Sequence, residues 1–101
     1  MASSKLKTIE ERIGQLKQKL AHIGNMRPGT LSVQYRKPAE KKTPFNQISY
    51  TYKGKSRSEY VRTENLASVK QEIKAYKLFK SITERIIELS IHASKLRSMP
   101  D

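Results

Sequence analysis

The sequence predicts an α+β fold in which a helix, a three-stranded antiparallel β-meander and a long closing helix follow in the order α-β-β-β-α. Three observations carry that expectation. Apolar residues at both ends recur at intervals of three and four, as on one side of an α-helix. Between the ends the interval drops to two, the repeat of a strand with one covered face. The chain has 101 residues, enough for a modest core, so it is read as a single domain over 1–101 with the long helix packed antiparallel on the first.

The first helix is expected over 5–24. Leu6, Ile9, Ile13, Leu16, Leu20 and Ile23 form a heptad seam with Lys, Arg, Glu and Gln on the other faces. Ser3 or Ser4 can cap its start, and Gly24-Asn25 has the residue types of a left-handed C-terminal cap. Pro28-Gly29 then turns the chain. The first strand, 30–37, alternates Leu31, Val33 and Tyr35 with polar residues, and Pro38 is expected to end it. The segment from Pro38 to Pro44 reads as a polar loop. The second strand, 45–52, sets Ile48, Tyr50 and Tyr52 on one side and Gln47, Ser49 and Thr51 on the other. Lys53-Gly54 is a two-residue hairpin turn leading to the third strand, 55–61. That turn predicts Tyr52 opposite Lys55, Tyr50 opposite Arg57 and Ile48 opposite Glu59, and leaves open which surface lies on the helices.

The second helix is expected over 63–98 with Thr63 as its N-cap. Leu66, Val69, Ile73, Tyr76, Phe79, Ile82, Ile86, Leu89, Ala93 and Leu96 make its stripe, and the spacing slips once between Tyr76 and Ile82. The slip predicts that no single straight seam uses the whole helix. At 1.5 Å per residue the first stripe is about 27 Å long and the second about 45 Å. Antiparallel packing then brings Ile23 near Leu66 and Leu6 near Ile82 or Arg85. Ile86, Leu89, Ala93 and Leu96 are left without a partner in the chain and are expected to build a homodimer.

The residues exclude several chemistries. The chain has no cysteine and two histidines, so no disulfide framework or thiolate zinc site can form. Its carboxylates are spread singly along helix faces, where pairing with Lys or Arg three or four positions away is their ordinary use. No nucleophile, base and orienting group come together, no glycine-rich phosphate loop is present, and neither a metal nor another cofactor is expected. An enzyme is therefore not expected. No apolar run approaches a membrane span and the first residues lack a secretory core, which points to the cytoplasm.

Charge carries the functional reading. The chain has a formal net charge of +12, and between Asn25 and Thr63 nine lysines and arginines face only Glu40 and Glu59. Such an excess repels itself, and a phosphate backbone that releases condensed counterions is its natural partner. A two- or three-stranded ribbon fits the major groove of duplex DNA, about 12 Å wide. Arg36 and Arg57 suit guanine, and Gln34, Gln47 and Asn46 suit adenine. Lys41, Lys42, Lys53 and Lys55 would contact phosphates, and Lys37 and Arg62 complete the nucleic-acid-binding set. Tyr50 and Tyr52, beside these cations, could instead stack the bases of a single strand.

The order RPGTLSVQYRK, TPFNQISYTYKGKSRSEYV and TENLASVKQEIKAYKLFKSI resembles a family of small prokaryotic proteins of unknown function that are often found with mobile elements. The likeness runs from about Arg27 to Leu89 and rests on Gly29, Leu31, Gln34, Tyr35, Lys37, Pro44, Gly54, Lys55, Arg57, Tyr60 and Val61. It implies the strand, hairpin and closing-helix architecture and a mobile-element setting. Typical members carry a cysteine-rich insert after the first strand, which PAEKKTP lacks, so a metal-linked role does not carry over. The hairpin also resembles the three-stranded arm-binding domains of phage and transposon integrases.

Together these observations predict a dimeric, basic nucleic-acid-binding protein, with duplex DNA favoured over RNA. The alternative is a protein-interaction module, an inhibitor or accessory factor whose basic face acts on a larger nucleic-acid-processing enzyme.

Overall fold

A computed structural model describes residues 2–37, 39, 40 and 42–99. The elements are α1 (Ala2–Ala21), β1 (Thr30–Lys37), β2 (Lys42–Tyr52), β3 (Lys55–Val61), a 3-10 turn (Thr63–Asn65) and α2 (Leu66–Ser98), so the chain has the α-β-β-β-α order. It forms two compact units, each with its own core.

The first unit joins the chain up to Ile23 with the part of α2 from Leu78 onward. The heptad spacing of α1 brings Ile9 and Leu16 onto Ile82, Leu89 and Ala93, all buried, with Leu6, Ile13, Leu20, Ile23, Ile86 and Leu96 packed around them. The helices run antiparallel, and Arg97 near the end of α2 lies 3.5 Å from Glu10 in the first half of α1. This corrects the expected offset. Ile86, Leu89, Ala93 and Leu96 are covered by α1 of the same chain and do not form a bare surface for a second copy. The physical reason is that the sheet claims the first turns of α2, so α1 finds its apolar partner only beyond them. Burying each such Leu or Ile contributes about 1.5–3 kcal/mol.

The ends of α1 also differ from expectation. The helix starts at Ala2, which puts Ser4 inside it, where its carbonyl accepts a bond from the Thr8 hydroxyl. It closes through His22 N–H to the Lys19 carbonyl and Ile23 N–H to the Leu20 carbonyl, a tightened last turn, and neither Gly24 nor Asn25 is left-handed.

The second unit spans Gly24–Lys77. Its sheet has the order β1-β2-β3 with both pairings antiparallel. Lys53 (φ 52°) and Gly54 (φ 77°) both have positive φ, the signature of a type I′ turn. The register follows, with Tyr52 opposite Lys55, Tyr50 opposite Arg57 and Ile48 opposite Glu59. β2 begins at Lys42 rather than Phe45, because Lys42 and Pro44 pair with Lys37 and Tyr35 of β1. Pro44 is tolerated there because β3 reaches only as far as the Asn46–Val61 pair, so its missing N–H breaks no ladder on that side. Pro38 lies outside the described residues.

One face of the sheet is covered. Leu31, Ile48 and Val61 share it by register, and with Val69, Ile73 and Leu66 of α2 they form the second core. Gly29 permits this closeness. Its φ is 145°, and a Cβ there would stand 2.6 Å from Ile48 Cγ1. The Arg27 N–H to Glu72 carbonyl bond, 3.0 Å, fixes the entering chain on α2. A 3-10 turn precedes α2, so Thr63 is not its N-cap. Among the described residues no helix is long and apolar enough to cross a membrane.

Candidate nucleic-acid interface

Covering one face of the meander leaves the other open. By the strict alternation of β1, β2 and β3, the open face carries Thr30, Ser32, Gln34 and Arg36, then Phe45, Gln47, Ser49 and Thr51, then Ser56, Ser58 and Tyr60. None of these is acidic. Gln34 Nε2 donates to Ser32 Oγ at 3.1 Å, and the Ser49 and Ser58 hydroxyls are 3.4 Å apart. At the β1–β2 end the side chains become aromatic. The Phe45 and Tyr60 rings lie 6.3 Å apart, tilted by 50°, and the Arg36 guanidinium stands 5.6 Å from the centre of the Phe45 ring.

The expected site residues do not all share this face. Arg36 and Gln47 are on it. Tyr50, Tyr52, Lys55, Arg57 and Lys37 belong by register to the face that carries Ile48. Arg57, Tyr52 and Lys55 are nevertheless exposed, because they lie toward the hairpin tip. Lys53 sits in the turn itself, its ammonium 5.4 Å from the Tyr52 ring centre. Arg62 follows β3 and lies 3.5 Å from Glu64, with both side chains largely exposed, an arrangement worth little in water. Lys42 pairs through its backbone with Lys37 at the opposite end of the sheet. Lys41 lies outside the described residues.

Tyr50 has a structural task. Its ring lies under the Arg27 guanidinium at 5.2 Å, and its hydroxyl donates to Glu59 at 3.0 Å. Arg27 pairs with the other Glu59 oxygen. The Arg27 bond, followed by that from Tyr50, holds the Glu59 carboxyl below the ordinary glutamate range, and the Glu59 bond raises Arg27 in turn against the cost of its partial burial. Glu59 is one of only two acids between Asn25 and Thr63, and its charge is matched by Arg27, so it does little to offset the strand cations.

These cations therefore gather at the two ends of the sheet. Lys37 marks one end, and Lys53, Lys55 and Arg57 the other. From Lys42 to Tyr52 a strand covers about 34 Å at 3.4 Å per residue. That length is close to one turn of B-form DNA, about 34 Å. Lys70 and Lys77 add charge beside β1, where with Ile73 they line a groove against Gly29, Thr30 and Leu31.

Phe45, Tyr60, Lys70 and Lys77 are the members that sequence reasoning passed over. Parity with Gln47 could have placed Phe45, and Tyr60 follows from the hairpin register. The lysines flank Val69 and Ile73 on the helix, so a sheet packed on that stripe must border them. Among the described residues no group of three His, Asp or Glu side chains could hold a metal ion. No family model matches the chain, and no curated protein and no solved structure matches it.

Proposed function

We infer that this protein binds nucleic acid by laying the open face of its sheet against duplex DNA. One observation carries the reading: the face is uncovered and free of carboxylates, and exposed cations stand at both ends of the sheet about one helical turn of DNA apart, Lys37 at one and Lys53, Lys55 and Arg57 at the other, where those that leave on the Ile48 face reach phosphates around the sheet's ends. On such a surface the end cations grip phosphates and set position, while Arg36, Gln34 and Gln47 present the fork and amide groups that pair with guanine and adenine edges. The hydroxyls of Ser49, Thr51, Ser56 and Ser58 are short enough to let a groove wall approach the backbone.

Fluorescence anisotropy with a labelled duplex of about two helical turns tests the reading. Four phosphate contacts, from Lys37, Lys53, Lys55 and Arg57, give a log–log salt slope of about −3.6, so affinity falls roughly 150-fold between 50 and 200 mM salt. Arg36→Ala is expected to weaken binding roughly 5- to 150-fold, the worth of one bidentate base contact. Lys17→Ala/Lys19→Ala removes two charges from α1 and is expected to change little. A response of equal size in both variants would reduce the interaction to net charge and refute the assigned face. A chain that ignores free DNA but binds a nucleic-acid-processing enzyme in fixed stoichiometry would support the protein-interaction alternative instead.

A further inference from the structure

The aromatic corner of the open face does something that duplex binding does not require. Phe45 and Tyr60 contribute nothing to the Ile48, Val61, Val69 and Ile73 core, which lies on the other face of the sheet. Tyr60 is 60% exposed. Their rings are tilted by 50° at 6.3 Å, a loose wedge in which Phe45 is half-buried and Tyr60 is open to solvent. Arg36 stands over Phe45 at 5.6 Å, and Gln47 lies directly opposite Tyr60 across the β2–β3 pairing. Keeping the Tyr60 ring in water beside the half-buried Phe45 leaves apolar ring surface that a further flat group would cover favourably.

Resting on the nucleic-acid reading and narrowing its substrate, we propose that Arg36, Phe45 and Tyr60 form a stacking site for an unpaired nucleobase. A flat heteroaromatic base presents a π-face that can stack on the exposed Tyr60 ring beside Phe45. The Arg36 guanidinium is planar and can stack on the same base while its charge serves the adjoining phosphate. Gln47 offers one donor and one acceptor to the base edge. A paired base inside a duplex has both faces already stacked, so the ligand is an unpaired base, in a single strand or flanking a duplex, and while it is bound Arg36 and Gln47 serve that base in place of a groove edge. The other half of the open face, with Ser49, Thr51, Ser56 and Ser58, carries no ring and suits the backbone. The site therefore takes its base at the β1–β2 end.

The test compares four labelled probes of equal length on the full chain at 50 mM salt: a thymidine oligomer, a uridine oligomer, an abasic deoxyribose-phosphate oligomer and a duplex. The base-containing single strands are expected to bind at least tenfold more tightly than the abasic strand, and the tighter of the two identifies DNA or RNA as the source of the base. Phe45→Ala and Tyr60→Ala are each expected to weaken the thymidine or uridine complex by roughly 5- to 150-fold, with abasic binding unchanged. Phe45→Leu and Tyr60→Leu keep apolar bulk without a ring face and are expected to lose the same factor. Wild-type affinity in the leucine variants, or no preference for bases over the abasic strand, would overturn the stacking site. Retained duplex binding in that case leaves the proposed function standing, whereas failure of all four probes to bind would remove both.

Discussion

Replacing Gly29 by alanine is expected to cost about 4 kcal/mol, and the structure separates that cost into two parts. Gly29 has φ 145°, which L-residues rarely adopt. Forcing alanine into it costs about 1–3 kcal/mol. The new methyl would also stand 2.6 and 2.7 Å from Cγ1 and Cδ1 of Ile48 and 3.2 Å from the Ser49 carbonyl. Ile48 is 0% exposed beneath Val69 and Ile73, so it cannot swing away, and overpacking of this kind costs about 1–3 kcal/mol. Against a typical total stability of about 5–15 kcal/mol, the loss is large. Urea unfolding followed by tyrosine fluorescence suits the measurement, since Tyr35, Tyr50, Tyr52, Tyr60 and Tyr76 all lie within Gly24–Lys77 and report on that unit. Ile48→Ala alone should cost about 2–5 kcal/mol through its cavity. In that background the clash disappears, and Gly29→Ala should then cost only the backbone part, about 1–3 kcal/mol. A coupling energy of about 1–3 kcal/mol between the two positions is the expected result. A Gly29→Ala protein within about 1 kcal/mol of the parent, or strict additivity of the pair, would refute the argument.

Leu89→Ala should destabilise the helical unit by about 2–5 kcal/mol, read from the far-ultraviolet dichroism at 222 nm, and ending the chain after Glu84 should remove helical signal from α1 as well as from α2; a helix α1 that survives that truncation would contradict the pairing. Glu59 has a depressed carboxyl pKa in the folded chain, so its contribution is present above the ordinary glutamate value of about 4.3 and fades as pH falls through the lower, folded value. Glu59→Gln should therefore flatten the acid limb of a stability-against-pH profile, and an unchanged limb would show that the Arg27–Glu59–Tyr50 cluster carries no linkage.

Local chemistry explains what could be read in advance. The heptad spacing from Leu6 to Ile23 and the alternation from Leu31 to Tyr35 are properties of neighbouring residues, and they specify α1 and β1 wherever the chain goes. Lys53-Gly54 is equally local. Two residues with positive φ set the hairpin register, so the Tyr50–Arg57 and Ile48–Glu59 pairs followed from the turn alone. Even the slip between Tyr76 and Ile82 was informative, because α2 passes from one core to the other at Lys77–Leu78.

The candidate interface was less legible because both faces of the meander mix tyrosine with polar residues. Hydropathy could not tell whether Tyr50 or Tyr60 met solvent, and the cations Lys55 and Arg57 of β3 share the parity of Ile48 rather than that of Tyr60. The face was settled by the fit of Ile48 against Gly29, Val69 and Ile73, residues far apart in sequence. The same holds for the tail of α2, which looked unpartnered only while Ile23, at the end of α1, was placed beside Leu66.

The sequence by itself determined the elements, their order, the hairpin register and a basic middle, since each depends on residues within one or two turns or across one tight turn. The tertiary structure alone decided which sheet face stays open, where α1 meets α2, and that Arg36 comes beside Phe45 and Tyr60. Those outcomes depend on which apolar surfaces are close enough to bury each other, a competition between distant segments that no local pattern records.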